Sequence, residues 1–345
     1  MRRARHAAVA VGAVAGAVLG ARAASTYRAY RRELAAAWTR VRSGSRLVRT
    51  ARGLVEYAIA GRGPCVLAVH GAGGGFDQGL DIAGELASHG FGVVAVSRFG
   101  YLRTPLPADA SAEAQADAHA ALLDALGIER AAVVGASAGA PSSLQFALRH
   151  PGRCSALVLI VPASYVPRPG NAPSVHAMAA TRLLFGTALR SDFLMWAAIH
   201  GARDACIAGL LATPLRVVRE ADPAERNRVA MMLAHVLPVS ARRRGLVNDA
   251  AITSSLSPCA LERIGTPTLV LGARDDRFGT WDAARYTAEH VAGARFVGFE
   301  SGGHVLVGRQ AAAMGEIAAF LRTAAAAQVP AHVAGAAGPA NAPPH

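Results

Sequence analysis

The sequence predicts an α/β protein with a mainly parallel sheet, helices on both faces and an inserted helical cap. Short runs of Val, Leu and Ala alternate with helical segments, and such continuous apolar runs are typical of strands buried on both faces. A stretch of about 100 residues without a convincing strand interrupts this alternation, as a cap inserted between two strands would. The predicted strands are Leu47–Thr50, Val55–Ile59, Val66–Val69, Val93–Val96, Ala132–Val134, Leu157–Val161, Thr268–Leu271 and Arg295–Phe299.

The N-terminal residues differ in composition from the rest of the chain. Three arginines within the first five residues precede an uncharged run, 7–20, and Ala21-Arg22-Ala23 follows it. This order is typical of a signal peptide cleaved after Ala23, or of a weak signal anchor, over residues 1–24; a plain apolar helix is the simpler alternative. Residues 25–45 mix Arg with Tyr, Leu and Trp, which predicts a basic amphipathic linker. We therefore expect a membrane-associated or exported protein, with the cytoplasmic face left open.

The other boundaries follow from the strand and helix patterns. Residues 46–162 and 265–323 form the predicted core, whose first two strands join through a short turn and should pair as an antiparallel hairpin. Residues 163–264 form the predicted cap, and residues 324–345, rich in Ala, Pro and Gly, a predicted disordered tail. The predicted helices are Gly79–Ser88, Ala112–Leu126 and Ser142–Arg149 in the core, and Val175–Leu189, Asp192–Leu211 and Ala224–Leu237 in the cap.

The distribution of charge bears on the partner. The net charge is +13, but residues 1–52 hold 12 arginines against a single acid, Glu33, whereas the rest of the chain is nearly neutral. A nearly neutral body does not suit a groove that holds nucleic-acid phosphates, so we expect no nucleic-acid partner. An anionic membrane surface, contacted through residues 1–52, fits better. The four cysteines are widely spaced and form no CxxC pair, so we expect no metal site.

The strongest chemical signal is the sequence Gly-Ala-Ser-Ala-Gly at 135–139. It follows an apolar strand and precedes a helical run, which is the context of a nucleophile elbow. The serine of such an elbow lies on a sharp turn, so the residues two before and two after it must be small. Ser137 is therefore the candidate nucleophile.

A glycine-rich loop, His70-Gly71-Ala72-Gly73-Gly74-Gly75, follows the strand Val66–Val69. A loop of this kind can direct a backbone N–H at a reacting carbonyl, and the residue after the nucleophile supplies a second N–H. The predicted oxyanion donors are the amides of Ala72 and Ala138. A phosphate-binding loop is the alternative, but the order GxGxxG and a following GK[ST] are absent from it.

An acid and a histidine follow two later strands. Asp275 and Asp276 come after Thr268–Leu271, and His304 comes after Arg295–Phe299. Ligands bind outside the carboxyl ends of parallel strands, where these side chains should meet Ser137. The chain order serine, acid, histidine is a known order for a catalytic triad.

On these motifs the chain resembles the α/β-hydrolase fold superfamily from about Arg46 to Leu321. It is most similar to bacterial serine hydrolases of the haloperoxidase, esterase and carbon–carbon hydrolase groups. The loop 97–101 departs from the DxRGxGxS-like pattern of these relatives. The resemblance implies a cofactor-free enzyme with Ser137 as nucleophile, His304 as base and Asp276 as acid. On the alignment that the resemblance suggests, Asp275 caps or braces the loop. Asp275 also lies three residues after Gly272, a spacing that some relatives use for the acid, so it stays an alternative acid, and Asp249 is a third candidate.

The expected function is hydrolysis of a carboxylic ester, or a similar acyl bond, of a hydrophobic small molecule through an acyl-enzyme. Apolar cap residues suggest a hydrophobic acyl pocket. They are Met178, Leu183, Leu184, Phe185, Phe193, Met195, Trp196, Met231 and Met232. A perhydrolase or haloperoxidase-like enzyme is an alternative, as is a carbon–carbon bond hydrolase using Arg182, Arg190 or Arg203 to bind a carboxylate. A non-catalytic ligand-binding module and a membrane-tethered interaction protein are the alternatives outside enzymes.

Overall fold

An eight-stranded sheet carries the fold. The computed structural model describes the backbone of residues 2–167 and 189–326 and, within them, the side chains from residue 16 onward. The strands are β1 (Arg46–Thr50), β2 (Gly53–Ala60), β3 (Cys65–Val69), β4 (Gly92–Val96), β5 (Ala131–Ala136), β6 (Cys154–Ile160), β7 (Thr268–Ala273) and β8 (Arg295–Phe299). Their order is β1-β2-β4-β3-β5-β6-β7-β8, with β2 antiparallel to both neighbours and the remaining pairs parallel. The predicted strands and the edge hairpin are confirmed.

Both faces of the sheet are covered, which explains why its strands are continuously apolar. In β3, Val66 and Ala68 belong to one buried cluster, whereas Leu67 and Val69 belong to a second cluster on the opposite face. Successive side chains of a strand point to opposite faces, so a strand between two helical layers needs apolar residues at every position. Because β3, β5, β6, β7 and β8 pair in parallel, the carboxyl ends of β3, β5, β7 and β8 lie at one edge of the sheet.

Four helices belong to the chain up to β6: one precedes β1, and three lie between β3 and β6. The predicted helices of the core are confirmed, with shifted ends. For example, the helix predicted at Gly79–Ser88 begins earlier, at Phe76, and its last part is a 3₁₀ turn, Gly84–Ala87. The helices up to β6 are α1 (Arg2–Ser43), α2 (Phe76–Ala83), α3 (Ala112–Ala125) and α4 (Ala140–Arg149).

Helices also fill the described part of the chain between β6 and β7. They are α5 (Asp192–Gly201), α6 (Arg203–Leu210), α7 (Leu215–Glu220), α8 (Pro223–Ala234) and α9 (Arg243–Ser254). The segment predicted as one helix at Asp192–Leu211 is two helices, and α7 and α9 were not predicted. The predicted helix Val175–Leu189 lies outside the described residues except for its last residue. This insertion has its own buried cluster, which includes Met195, Trp196 and Cys206.

Helix α1 is continuous over 42 residues, and residues of its second half contact the body. Ala37 and Val41 are buried, and Trp196 of α5 donates a hydrogen bond of 2.9 Å from Nε1 to Glu33. Residues 16–28 are exposed. The segment predicted as a linker, 25–45, is therefore largely a helix docked on the insertion, and the predicted cleavage after Ala23 falls inside this helix and stays a prediction. Among the helices in the described residues, none is long and apolar enough to cross a membrane.

Two helices complete the fold on the C-terminal side. They are α10 (Thr280–His290) and α11 (Gln310–Ala326). The start of the predicted disordered tail is wrong, because residues 324–326 complete α11, where Ala324 packs into the core. Residues 327–345 lie outside the described part of the chain.

Candidate active site

Ser137 lies on a tight turn between β5 and α4. Its φ is 49°, in the left-handed region that a residue with a side chain rarely adopts. A Cβ at position 135 would lie 2.2 Å from Ser143 Oγ, and one at position 139 would lie 2.6 Å from the carbonyl oxygens of Val69 and His70. Glycine is therefore required on both sides of Ser137, and the turn raises its side chain above the edge of the sheet.

His304 joins Ser137 to Asp276. Its Nε2 lies 2.9 Å from Ser137 Oγ, and its Nδ1 lies 2.8 Å from Asp276 Oδ2. A carboxylate can only accept, so the ring proton is on Nδ1 and Nε2 is free to accept the proton of Ser137. The three predicted side chains, which come from the ends of three strands, thus form one hydrogen-bonded chain.

The environment of Asp276 keeps its carboxyl ionised. Burial alone would raise its pKa, but the charge and hydrogen bond of His304 outweigh burial, assisted by the Thr280 hydroxyl and the Phe278 amide. The net effect is a pKa below the usual value for Asp. A buried anion at this place holds the imidazole in one tautomer.

The other two candidate acids have different partners. Asp275 Oδ1 accepts a hydrogen bond of 2.8 Å from the amide of Gly303, which braces the loop before His304. Asp249 lies on α9, where it forms a buried ion pair with Arg98 at 2.6 Å. Neither carboxyl group contacts His304 in the structure, in contrast to Asp276.

The glycine-rich loop after β3 passes close to the nucleophile. A Cβ at Gly71 would lie 3.1 Å from Ser137 Cβ, and Ala72 lines the same cavity as Ser137 and His304. The amide of Ala72 donates no hydrogen bond to any acceptor in the described residues. Ala138 is the second residue of a 3₁₀ turn, whose first amides have no partner within the turn. Both amides are thus available to a ligand oxygen beside Ser137.

The cavity over Ser137 is lined mostly by apolar side chains from the insertion and the histidine loop. Those that the structure places there include Leu189, Leu210, Leu211, Met232, Val236, Leu246, Phe278, Val305 and Leu306. Among the predicted pocket residues, Met232 lines it, Met195 and Trp196 are buried in the insertion, and Phe193 and Met231 are exposed. Met178, Leu183, Leu184 and Phe185 lie outside the described residues. Amphipathic spacing identified the helices but not the face that each turns to the cavity.

The charged groups of the described lining are paired. Arg228 contacts Glu225 at 2.9 Å and donates to the carbonyl of Val305 at 2.8 Å, and Asp81 contacts His235 at 2.6 Å. Arg190 and Arg203 are not among the lining residues, and Arg182 lies outside the described residues. In the described part of the chain, no group of three His, Cys, Asp or Glu side chains is arranged to hold a metal ion.

Known proteins share the fold of this chain. A family model described as alpha/beta hydrolase fold matches residues 64–199. An alpha/beta hydrolase fold protein from Nakamurella multipartita is 30% identical, with a TM-score of 0.62 over 81% of this chain and 99% of that chain. A 2-hydroxy-6-oxononadienedioate/2-hydroxy-6-oxononatrienedioate hydrolase from Paraburkholderia xenovorans is 28% identical over 76% of this chain and 89% of its own length.

A solved bacterial membrane phospholipase A resembles a longer part of this chain. It is 23% identical, with a TM-score of 0.63, and the match covers 94% of this chain and 99% of that one. The unmatched share is smaller than the 42-residue α1, so the similarity in fold includes part of that helix.

The two adjacent acids differ in their contacts and should differ in their effect on the site. Asp276→Asn keeps the shape of the side chain but removes the anion that orients His304, so we expect hydrolysis of a chromogenic ester to fall by up to roughly 10⁴-fold. Asp275→Asn is the matched control, because its amide oxygen can still accept from Gly303, and kcat should change far less. Steady-state kinetics of both variants measure the ranking. A larger loss in Asp275→Asn than in Asp276→Asn would contradict the assignment of Asp276 as the acid that orients His304.

Proposed function

The chain belongs to the alpha/beta hydrolase fold superfamily, and on that basis we propose that it is a serine hydrolase. It cleaves a carboxylic ester, or a similar acyl bond, of a hydrophobic small molecule through an acyl-enzyme. The hydrogen-bonded chain Ser137–His304–Asp276, which opens on an apolar cavity, carries this proposal. Membership of a superfamily of hydrolases would, on its own, support hydrolysis but neither the serine mechanism nor the class of substrate.

The proposed reaction begins with attack of Ser137 Oγ on the substrate carbonyl while His304 Nε2 takes the hydroxyl proton. The resulting oxyanion accepts hydrogen bonds from the amides of Ala72 and Ala138, each worth roughly 3–4 kcal/mol in comparable sites. His304 then gives its proton to the departing alcohol, which leaves the acyl group on Ser137. A water molecule activated by His304 hydrolyses this ester by the reverse sequence of proton transfers.

The charges around the cavity favour an uncharged acyl group. Arg228, the arginine of the described lining, already has an anionic partner, since it is bound to Glu225 and its Nη2 also donates to a backbone carbonyl. A substrate carboxylate would have to compete with Glu225 and would lie in the same cavity as the acid Asp81. Apolar contacts with the leucine and valine side chains require no such exchange.

Cleavage of a carbon–carbon bond is the second candidate, because the relative from Paraburkholderia xenovorans is named as a hydrolase of 2-hydroxy-6-oxononadienedioate, which contains no ester bond, and it matches this chain over most of its length. The substrate named there is a dioate, which needs cationic partners. Arg228 is the cation of the described lining that would have to be released from Glu225 to bind it. The same three residues would also serve a perhydrolase, which makes a peracid from a carboxylate and peroxide. A non-catalytic module would not need Ser137, His304 and Asp276 to be joined by hydrogen bonds.

A panel of p-nitrophenyl esters of increasing acyl length tests the proposed chemistry. We expect kcat/KM to rise with chain length until the apolar cavity is filled, and Ser137→Ala to lower kcat by several orders of magnitude with the fold intact. The matched control is Ser142→Ala, a buried serine on α4 whose hydroxyl contacts the Gly139 carbonyl rather than His304. Turnover by Ser137→Ala close to that of the wild type would contradict the proposal. Preference for a dienoate over every ester would favour the carbon–carbon reaction.

We also propose that residues 1–52 bring the protein to an anionic membrane surface. The exposed part of α1 carries Arg22 and Arg28, and its first acid is Glu33, so this face attracts acidic headgroups. The solved phospholipase whose match includes part of α1 is named as a membrane phospholipase. Contact along the surface requires no membrane-spanning helix, since a basic amphipathic helix can lie in the interface.

Binding to vesicles tests this contact without removing β1, which a deletion of residues 1–52 would take from the sheet. One variant changes four exposed arginines of α1 to Gln, and a control variant changes four exposed arginines of the body. The sets are Arg22, Arg28, Arg31 and Arg32, and Arg62, Arg130, Arg263 and Arg322. At about 1 kcal/mol per arginine, the α1 variant should lose up to roughly 10³-fold in affinity for vesicles rich in phosphatidylglycerol, with unchanged kinetics on small soluble esters. Equal losses in both variants would contradict a contact through α1.

A further inference from the structure

We propose that a buried ion pair between Arg98 and Asp249 positions the oxyanion donor Ala72 by fixing the carbonyl of Gly71. The inference rests on the proposed function, because it concerns how that reaction's oxyanion would be held. Arg98 follows β4 and Asp249 lies on α9, so the pair links the sheet to the insertion. Nothing in the hydrolase motifs themselves requires a charge pair at this place.

The pair is fully formed and almost completely removed from solvent. Arg98 is 5% exposed and Asp249 is 3% exposed. The guanidinium donates from Nη1 to Asp249 Oδ1 at 2.7 Å and from Nη2 to Oδ2 at 2.6 Å, which is a bidentate geometry. Two buried charges of this kind cost desolvation energy, and an apolar pair of similar volume would often be at least as stable. A contribution to stability alone therefore does not account for them.

The remaining donors of Arg98 reach the glycine-rich loop. Nε donates to the carbonyl of His70 at 2.9 Å, and Nη2 also donates to the carbonyl of Gly71 at 3.1 Å. Because Asp249 fixes the guanidinium plane, both carbonyl oxygens are held in place. A lysine could supply the charge but not this planar arrangement of donors.

The imidazole of His70 adds a second donor to the same carbonyl. Its Nε2 accepts a hydrogen bond of 3.0 Å from the amide of Arg98, so the ring proton is on Nδ1, which lies 2.7 Å from the carbonyl oxygen of Gly71. Burial, with the charge of Arg98 as the next cause, places the pKa of His70 well below its usual value, so the ring is neutral. The Gly71 oxygen is thus held by Arg98 and His70 together.

The planarity of the peptide bond connects this carbonyl to the oxyanion donor. In a trans peptide the C=O of Gly71 and the N–H of Ala72 lie in one plane and point in opposite directions. Fixing the oxygen of Gly71 therefore fixes the direction of the Ala72 N–H, away from Arg98 and His70. Ala72 lines the cavity with Ser137 and His304, and its amide has no acceptor in the described residues. A peptide free to rotate would lose this preorganisation, which is the source of oxyanion stabilisation.

Tyr101 extends the same network to the next part of the loop. Its hydroxyl donates to Asp249 Oδ2 at 2.5 Å and accepts a hydrogen bond of 3.2 Å from the amide of Gly73. Asp249 thus acts on the loop through two side chains, Arg98 and Tyr101. These side chains belong to the segment 97–101, so its departure from the usual family pattern coincides with the device proposed here.

The test replaces the whole pair, so that no charge is left buried alone. Arg98→Met with Asp249→Leu should fold with a Tm near that of the wild type, since an apolar pair can substitute for a buried ion pair. We expect kcat for a p-nitrophenyl ester to fall by about 10²-fold, the loss typical of one oxyanion donor, with KM changed by less than about threefold. The affinity for a trifluoromethyl ketone, whose hemiketal places an oxyanion in the site, should fall by the same factor as kcat/KM.

A second buried pair, between Arg242 and Asp77 of α2, contacts the same loop and supplies the matched control. Arg242 donates to Asp77 and, at 2.6 Å, to the carbonyl of Gly74, whose peptide carries the amide of Gly75 and not that of Ala72. Arg242→Met with Asp77→Leu should therefore keep kcat and trifluoromethyl ketone affinity within a few-fold of the wild type. Equal losses from both double variants would overturn the proposal, because they would show a general effect of emptying the loop of charge.

Arg98→Lys keeps the proposal falsifiable if the double variant folds poorly. The lysine can still pair with Asp249, but it cannot hold the carbonyls of His70 and Gly71 with a planar fork, so we expect a loss of kcat and of trifluoromethyl ketone affinity with little change in Tm. Full activity in either folded variant would overturn the proposal, as would a loss of kcat that only follows a loss of folded protein. Failure of the proposed function is distinguishable, because Ser137→Ala would then remain active.

Discussion

The close approach of two turns, one after β3 and one after β5, is the constraint on which the site depends. The loop that contains Gly71 and the turn that contains Ser137 pass within contact distance, so that a Cβ at Gly71 or Gly139 would crowd or collide with the facing turn. This approach places the nucleophile hydroxyl and the Ala72 amide at one point above the sheet edge. The parallel pairing of β3 with β5 makes it possible, because their carboxyl ends lie side by side.

The insertion between β6 and β7 does more than cover the site. Glu225 on α8 accepts a hydrogen bond of 2.8 Å from the amide of Gly308, and Arg228 donates to the carbonyl of Val305, so this helix holds the loop that carries His304. Asp249 on α9 holds the glycine-rich loop through Arg98. The elements that would select the substrate also fix the groups that would react with it, which joins specificity to the geometry of the chemistry.

The sequence predicted the sheet and the hydrogen-bonded side chains because both depend on local patterns. Apolar runs identify buried strands, and the glycines around Ser137 and the Asp-His order follow strands whose ends meet at one edge. The sequence did not predict the network of Arg98, Asp249 and Tyr101, since its members are about 150 residues apart and nothing local requires their pairing. The sequence leaves Asp249 a candidate triad acid, and only the three-dimensional structure shows that its partner is a buried arginine. The sequence predicts a linker for the docked half of α1, because the contacts of that half with α5 are equally non-local.

The cavity lining also divides into what local sequence patterns predict and what packing between distant residues decides. Amphipathic spacing predicted helices in the insertion, but Met195 and Trp196 pack inside it, whereas Leu189, Val236 and Leu246 face the cavity. Which face of a helix lines a pocket depends on how the helices pack on one another, and several arrangements share one amphipathic pattern.

Detection of the acyl-enzyme tests the central claim most directly. The protein would be mixed with a p-nitrophenyl ester, quenched in acid within milliseconds, digested and analysed by mass spectrometry. The account predicts a transient acyl adduct on the peptide that contains Ser137, which appears with a burst of p-nitrophenol when its hydrolysis is slower than its formation. Ester turnover with no adduct on Ser137 at any quench time, or with an adduct on another residue, would contradict it.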